Sequence, residues 1–408
     1  MRAPISRGEP KRAGSIRLVF SFGGGNVRMS GVADIRLSAD RCNLVPMDNR
    51  TIVLGRMGSQ GLGGRRFDDP AALVGWMGCV QAQDFAMAKW GVGLRMSAGS
   101  GTSGGSVGSE AMIDTAFNDG TILRTHVLRP TWHFVLPCDI GWMLALSAPR
   151  IRGFCQSYHR QLGIDAAVLR RSRKVVSKAL QDGAFMTRTE IAALLRRAKI
   201  DTSDIRMNFL MMDAELEGLI CSGPRRGKQF TYALLASRVV RPLEFSGDAA
   251  LGELARRFFL SRGPATIYDF AWWGGMTVGD AKRGVEVVKG ELERDGEMYW
   301  AGATSDGGVT APRVLLLPAF DELTVAYKDR SAILPHEYEK ASSYGLKPVV
   351  VVDGRIVGIW RREAVKGKVV VEVKFFEKVS KGVARLVERE GERYGRFLGE
   401  GVGYCDIT

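Results

Sequence analysis

The chain has 408 residues and a mass of 44.6 kDa, a length that predicts two or three domains. Hydrophobic residues make up 45% of it and charged residues 25%, which excludes a chain that is disordered throughout or fibrous. The formal net charge of +14 favours a polyanionic partner, nucleic acid before an anionic membrane surface. No apolar run approaches the roughly 18 residues of a membrane span, so we expect no membrane association.

The amino-terminal segment is basic, and the cysteines are scattered. Residues 1–35 contain Arg, Lys and Ser but no continuous apolar stretch, so we predict a disordered basic leader. The alternatives with the same pattern are an organellar transit peptide and a misplaced start codon. The six cysteines lie far apart, without a CxxC pair or a histidine placed to complete a zinc set. We therefore expect free thiols in a reducing cytoplasm, and neither a metal nor a cofactor.

Residues 36–160 are predicted to form the first domain. Residues 55–66 are rich in glycine and lack periodicity, and 97–109 are almost entirely Gly, Ser, Thr and Ala, which is typical of a flexible surface loop. The elements expected here are a helix from Pro70, a helix over 111–118, a strand-like run over 125–135 and a helix from Asp139.

The next two predicted domains, 161–245 and 246–305, repeat one order of elements. The first has helices over 166–181, 189–199 and 204–217, followed by two strand-like runs around the basic turn 222–228. Thr187 with Glu190 three residues later forms a capping box at the start of the second helix. Three helices and a hairpin follow the order of a winged helix, and the order recurs between 249 and 301.

Strands dominate the last predicted domain, 306–408, which ends in a helix over 379–397. The fold class expected from the whole pattern is α+β, with tandem winged-helix (helix-turn-helix) units and a carboxy-terminal β-rich domain.

The turn of the first winged-helix unit carries Arg225, Arg226 and Lys228. A winged helix lays its wing along the DNA backbone, so these side chains are predicted to face phosphates. Such contacts supply affinity without sequence preference. The alternative is a solvated basic hairpin that serves solubility.

The segment from Cys79 to Phe85 places Gln81 and Gln83 two residues apart after the first predicted helix, with Asp84 beside them. In extended backbone both amides would face the same way. Converging carboxamides can orient a water molecule through their acceptor oxygens, which suffices when the leaving group is a purine already made cationic by alkylation. The alternative is a polar helix terminus that satisfies its own backbone groups.

Three segments, 80–84, 123–135 and 317–330, resemble the AlkZ-like winged-helix family of bacterial alkylpurine and crosslink DNA glycosylases. The resemblance covers roughly residues 36–376; the leader, the glycine-rich stretch near 60 and the 97–109 loop depart from it. It implies a C-shaped arrangement of the winged-helix units with a basic channel for duplex DNA. The family's water-holding pattern, a glutamine, an apolar residue and then glutamine or aspartate, matches Gln81, Ala82 and Gln83.

The resemblance also implies that Arg129, Thr131 and His133 lie beside the site and contact DNA. His133 could meet a phosphate or an extruded nucleotide, or it could be a buried, hydrogen-bonded histidine. His126 lies seven residues earlier, and in one regular strand this odd spacing puts the two rings on opposite faces, against a shared metal.

Two further sets of residues have both a functional and a structural interpretation. Trp272 and Trp273 could stack on bases, although an aromatic pair on a helix more often belongs to a core. The charged residues Asp321, Glu322, Asp329 and Arg330 are interpreted as a structural network rather than catalytic groups.

The leading hypothesis is therefore a monofunctional DNA glycosylase that acts on alkylated purines in double-stranded DNA, with action on crosslinked purines left open. We expect a cytoplasmic, nucleoid-associated monomer. The alternatives are a non-catalytic winged-helix transcriptional regulator, which would dimerise on a preferred sequence, and a protein-interaction scaffold.

Overall fold

The computed structural model describes residues 47–63, 67–97, 108–301, 312–338, 346–365, 368–399 and 402–407. The predicted leader, 1–35, and most of the predicted 97–109 loop lie outside the described residues. Among the helices that are described, none is both long and apolar enough to cross a bilayer.

The amino-terminal region places a three-stranded sheet among helices. The antiparallel strands β1 (Cys79–Gln81), β2 (Leu123–His126) and β3 (Trp132–Val135) have the order β1-β3-β2. The helices are α1 (Asn49–Ser59), α2 (Pro70–Met77), α3 (Phe85–Leu94), α4 (Glu110–Asp119) and α5 (Pro137–Gln161). The helix predicted from Pro70 is confirmed, since the Asp69 side chain accepts from the Ala72 amide as its N-cap.

Two helices, α1 and α3, are not apparent from the sequence pattern. The prediction that 55–66 is irregular is wrong for its first residues, which lie in α1. A Cβ on Gly55 would come within 2.7 Å of Pro264 Cδ, so this glycine permits close packing rather than a turn. Every residue of α3 except Ala86 is buried, so the helix has no polar face and hence no helical periodicity.

Residues 166–234 and 247–301 share one order: helix, strand, helix, helix, strand, strand. The first set is α6 (Ala166–Ala179), β4 (Met186–Thr187), α7 (Arg188–Arg197), α8 (Arg206–Leu216), β5 (Ile220–Ser222) and β6 (Thr231–Leu234), followed by α9 (Leu235–Arg238). The second set is α10 (Gly247–Arg262), α11 (Ile267–Gly274), α12 (Val278–Val288), β7 (Leu292–Asp295) and β8 (Met298–Ala301), with an isolated bridge from Ala265 to Tyr299 in the place of the first strand. The strands of the first set form an antiparallel sheet in the order β4-β6-β5, and the capping box of Thr187 and Glu190 is present.

The carboxy-terminal region forms a five-stranded sheet. Its elements are β9 (Val314–Leu317), α13 (Glu322–Val325), β10 (Val349–Val352), β11 (Arg355–Val365), β12 (Lys368–Phe375), α14 (Lys381–Leu398) and β13 (Val402–Ile407). The strand order is β13-β12-β11-β10-β9, with β12 and β13 parallel and the other pairs antiparallel. Together with the helical regions, this sheet confirms the mixed α+β class.

Helices α2 and α3 share one hydrophobic core with the carboxy-terminal region. Buried residues of α2 and α3 cluster with those of β9 to β12 and α14, whereas α5 to α12 surround a second core. The Trp90 indole on α3 donates to the Leu316 carbonyl at 2.7 Å, and its ring lies 5.0 Å from that of Tyr394. The carboxy-terminal sheet therefore completes the framework that holds β1.

Candidate functional site

Three polar side chains form one row across the small amino-terminal sheet. The strand register pairs Gln81 with His133, and His133 in turn with Thr125. Side chains of directly paired residues project from the same face of a sheet. The relative exposure is 6% for Gln81 and 0% for the other two, so the row lies within the protein interior.

Three atoms of this row have no hydrogen-bond partner in the part of the chain that the structure describes: Gln81 Oε1, Thr125 Oγ1 and His133 Nε2. Leaving a buried polar atom without a partner costs about 1–3 kcal/mol. Buried polar atoms that lower stability in this way tend to occur at functional sites. The row is therefore the strongest candidate for chemistry in this part of the chain.

Hydrogen bonding and burial define the state of His133. Its Nδ1 lies 2.9 Å from the Thr131 carbonyl oxygen, so Nδ1 carries the proton and Nε2 presents a lone pair. Burial, and after it the charge of Arg129, hold the pKa of His133 well below its ordinary value. His133 is therefore a neutral hydrogen-bond acceptor at neutral pH.

The two glutamines meet neighbouring residues at the start of β3. Gln81 Nε2 donates to Thr131 Oγ1 at 3.4 Å, and Gln83 Oε1 accepts from the Trp132 amide at 3.2 Å. We expected extended backbone to turn the two side chains to the same side, and this argument is wrong. Strand β1 ends at Gln81, and Gln83 lies beyond it and is exposed. Asp84 is the N-cap of α3, so the interpretation as a polar helix terminus applies to Asp84.

A buried ion pair fixes the backbone of β1. Glu322 Oε1 accepts from the Gln81 amide at 2.7 Å, while Glu322 Oε2 lies 2.8 Å from Arg262 Nη2. Arg262 also donates to the carbonyls of Met77 and Cys79, at 2.7 and 2.8 Å. Asp321 forms a second buried pair with Arg95 at 2.8 Å, so the predicted structural network is confirmed for Asp321 and Glu322. The glutamine motif is thus held by a segment 241 residues away.

The basic turn divides into an anchored part and an exposed part. The Arg225 amide donates to Asn118 Oδ1 at 2.8 Å, and its guanidinium lies 3.6 Å from Asp114, which ties the turn to α4. Arg226 pairs with Glu190 at 2.7 Å, yet its side chain is 56% exposed, and Lys228 is also exposed. A cleft of about 330 Å³ runs beside this turn, with Trp132, Arg188, Lys228 and Tyr232 among its lining residues.

Comparison with known proteins agrees with this geometry. Residues 74–397 match the family model described as DNA glycosylase AlkZ-like. The chain belongs to the AlkZ-like DNA glycosylase family. The interstrand DNA cross-link repair glycosylase of Streptomyces sahachiroi is 26% identical over 384 residues, which cover 86% of this chain and 96% of that relative. The solved structure of Streptomyces sahachiroi DNA glycosylase AlkZ has the same fold, with a TM-score of 0.72 at 23% identity, and the match covers 89% of this chain and 100% of that one.

Membership of the AlkZ-like family confirms the predicted enzyme class. The chain is a DNA-repair glycosylase, a hydrolase of N-glycosyl bonds. The two alternatives, a transcriptional regulator and an interaction scaffold, find no support in this family.

In this AlkZ-like chain the two histidines lie on different strands of one hairpin. The premise that both histidines lie in one regular strand is therefore wrong. The register pairs His126 with Trp132, and His133 with Thr125, so the rings still project from opposite faces. The His126 ring lies 4.4 Å from that of Trp132, and its Nδ1 bonds to the Glu215 carboxylate.

Sequence reasoning misses the arginines that support the AlkZ-like motif. Arg124 donates to the carbonyls of Ala82 and Gln83, at 3.0 and 3.4 Å, and lies 4.4 Å from the Trp132 ring. Burial lowers the pKa of Arg124 to about 10. Arg124 lies inside the 123–135 segment, so the family resemblance could have indicated it. The residues around Arg262 in the sequence give no indication of its pairing with Glu322.

Proposed function

We propose that this glycosylase cleaves the bond between deoxyribose and an N-alkylated purine, with Gln81 and Gln83 orienting the attacking water. The observation that carries the proposal is the buried acceptor row, above all Gln81 Oε1, which has no hydrogen-bond partner among the described residues. An acceptor of this kind accepts from a water O–H and directs the water's remaining lone pair toward the sugar.

The chemistry requires little activation. The C1′–N bond breaks, its electron pair neutralises the cationic purine, and the water oxygen bonds to C1′ and then loses a proton. Carboxamide dipoles next to C1′ stabilise the cationic sugar that develops on the way. We propose that neutral His133 contributes Nε2 as a further acceptor within the site and does not contact DNA, because its side chain has no exposed surface.

We propose that residues 161–245 and 246–305 are two winged-helix units, between a domain at 36–160 and a β-rich domain at 306–408. The repeated element order and the antiparallel sheet β4-β6-β5 support this division. We extend the proposal to the C-shaped arrangement of the AlkZ-like family.

Duplex DNA is the proposed partner, and a net charge of +14 supports it. Arg226 and Lys228 are placed to contact phosphates from the exposed turn, and Arg129 and Thr131 from the site itself. Crosslinked purines belong to the proposed substrate class because the Streptomyces sahachiroi relative is named for interstrand cross-link repair. We propose a monomer in the cytoplasm, associated with the nucleoid.

Single-turnover release of free base from duplex DNA containing N-alkylated guanine or adenine tests the mechanism. We expect Gln81→Ala combined with Gln83→Ala to abolish release while leaving duplex binding intact. Gln83→Asp keeps an acceptor oxygen and should retain release. Exposed Gln156 on α5 supplies the control variant Gln156→Ala. Unchanged release by the double variant would refute the proposed roles.

A further inference from the structure

Helix α11 presents two aromatic side chains on its surface. Tyr268 and Trp272 are four residues apart, so they share one face of the helix. Their relative exposures are 46% and 45%, whereas Trp273 is fully buried. The core interpretation therefore applies to Trp273 and not to Trp272, and two large rings remain at the surface.

Both rings contact the end of α13 and the residues that follow it. Trp272 Nε1 donates to the Val325 carbonyl at 3.1 Å, and Lys328 Nζ lies 5.5 Å from the centre of the Tyr268 ring. Asp269 Oδ1 accepts from the Lys328 amide at 2.9 Å, which binds this segment to α11. The rings are thus ordered before any ligand arrives, which lowers the entropy cost of stacking on them.

This face lies next to the acceptor row. Val325 is the last residue of α13, and Glu322, its first residue, accepts from the Gln81 amide. Three residues of helix span about 5 Å. At its carboxyl end α11 also abuts the turn before β3, since a Cβ on Gly275 would clash with the Leu128 carbonyl and lie 3.1 Å from Arg129 Cγ.

Two arginines beside this face have guanidinium nitrogens that are unpaired within the described part of the chain. These atoms are Arg129 Nε and Nη2 and Arg330 Nε, all of which are buried. Burial lowers the pKa of both side chains, and at Arg129 the charge of Glu322 opposes this effect. Burying a cationic group whose donors are unpaired is unfavourable, so these nitrogens favour an incoming anion.

The carboxylates around these arginines are engaged elsewhere. Glu322 pairs with Arg262, and Asp269 accepts from the Thr266 and Lys328 amides and lies 3.5 Å from Arg56. Asp329 is exposed and accepts from the Ser331 amide. The surface therefore retains positive charge next to its aromatic rings.

We propose that the aromatic–arginine surface, formed by Tyr268, Trp272, Lys328, Arg129 and Arg330, binds an unpaired nucleotide of the DNA substrate. The base stacks on Trp272, and the phosphate bonds to Arg129 and Arg330. Every base offers a π-face, and a guanidinium fork matches a phosphate, so the combination fits a nucleotide without sequence preference. The inference rests on the proposed function, because the nucleotide belongs to the DNA on which the glutamine motif is proposed to act.

The test uses the full chain and 2-aminopurine, a fluorescent base, placed either as a single-base bulge or fully paired in an otherwise identical duplex. Wild type should bind the bulged duplex more tightly and quench its fluorescence. Trp272→Ala should reduce that preference about tenfold, the range of one lost stacking contact. Trp272→Phe keeps a ring and should retain most of it, and Phe154→Ala, which removes another exposed aromatic, should change nothing.

The salt dependence of binding tests the proposed contact between the arginines and the phosphate. Arg330→Gln should lower the salt dependence of log Kd for the bulged duplex by about one. Absence of a bulge preference in wild type, or an unchanged preference in Trp272→Ala, overturns the proposal. Because these measurements require no base release, they remain decisive even if the glutamine roles fail, and the release assay is decisive whatever the bulge result.

Discussion

Replacing Glu322 by glutamine tests whether the buried ion pair holds strand β1, which carries Gln81. Glu322→Gln keeps an amide oxygen that can accept from the Gln81 amide, and it keeps the shape of the side chain. It removes the charge that faces Arg262, whose side chain has 0% exposure. The substitution therefore isolates the electrostatic part of the contact.

The expected cost follows from this burial. Removing one partner of a buried pair leaves an uncompensated charge and costs about 3–5 kcal/mol of unfolding free energy. The pair of Arg283 and Asp248 is a matched control, since its side chains are 57% and 61% exposed. Exposed pairs contribute about 0–1 kcal/mol, so Asp248→Asn should have little effect.

Urea unfolding followed by tryptophan fluorescence measures both variants, with the midpoint and the slope fitted separately. Glu322→Gln should also lower the single-turnover rate of base release, because Arg262, which binds the Met77 and Cys79 carbonyls before Gln81, loses its charge partner. If Glu322→Gln costs no more than Asp248→Asn, the pair does not stabilise the site as argued.

The remaining predictions concern the buried histidine and the basic turn. Because the pKa of His133 is depressed in the folded state, the unfolded chain binds the additional proton as pH falls below about 6.5, and folding loses up to about 1.4 kcal/mol per pH unit from this group. Urea midpoints at pH 7.5 and 5.5 should therefore differ less in His133→Gln than in wild type, and an equal difference would contradict a neutral buried ring. In the turn, Arg226→Ala and Lys228→Ala should each lower the salt dependence of log Kd for duplex DNA by about one, whereas Arg225→Ala should mainly lower stability by removing the contact with Asp114. A larger salt effect from Arg225→Ala than from the other two would reverse this assignment.

Local signals in the sequence predict many of the elements. Asp69 with Pro70, and Thr187 with Glu190, define helix starts because an N-cap acts within the first turn of its own helix. The motif of Gln81 and Gln83 is also contiguous, so its resemblance to the AlkZ-like family is readable from the chain. Helix α3 cannot be predicted in this way, because burial on all sides removes the polar face that a helical periodicity requires.

The sequence alone therefore determines the helix starts, the repeated order of helices and strands and the glutamine motif, since each depends on local signals in the chain. Only the tertiary structure decides that Glu322 holds Gln81, that His133 is neutral, and that Trp272 is exposed while Trp273 is buried. These properties depend on burial and on charges brought together from distant parts of the chain. The neighbours of a residue in the sequence specify neither its burial nor the distant charges that it meets.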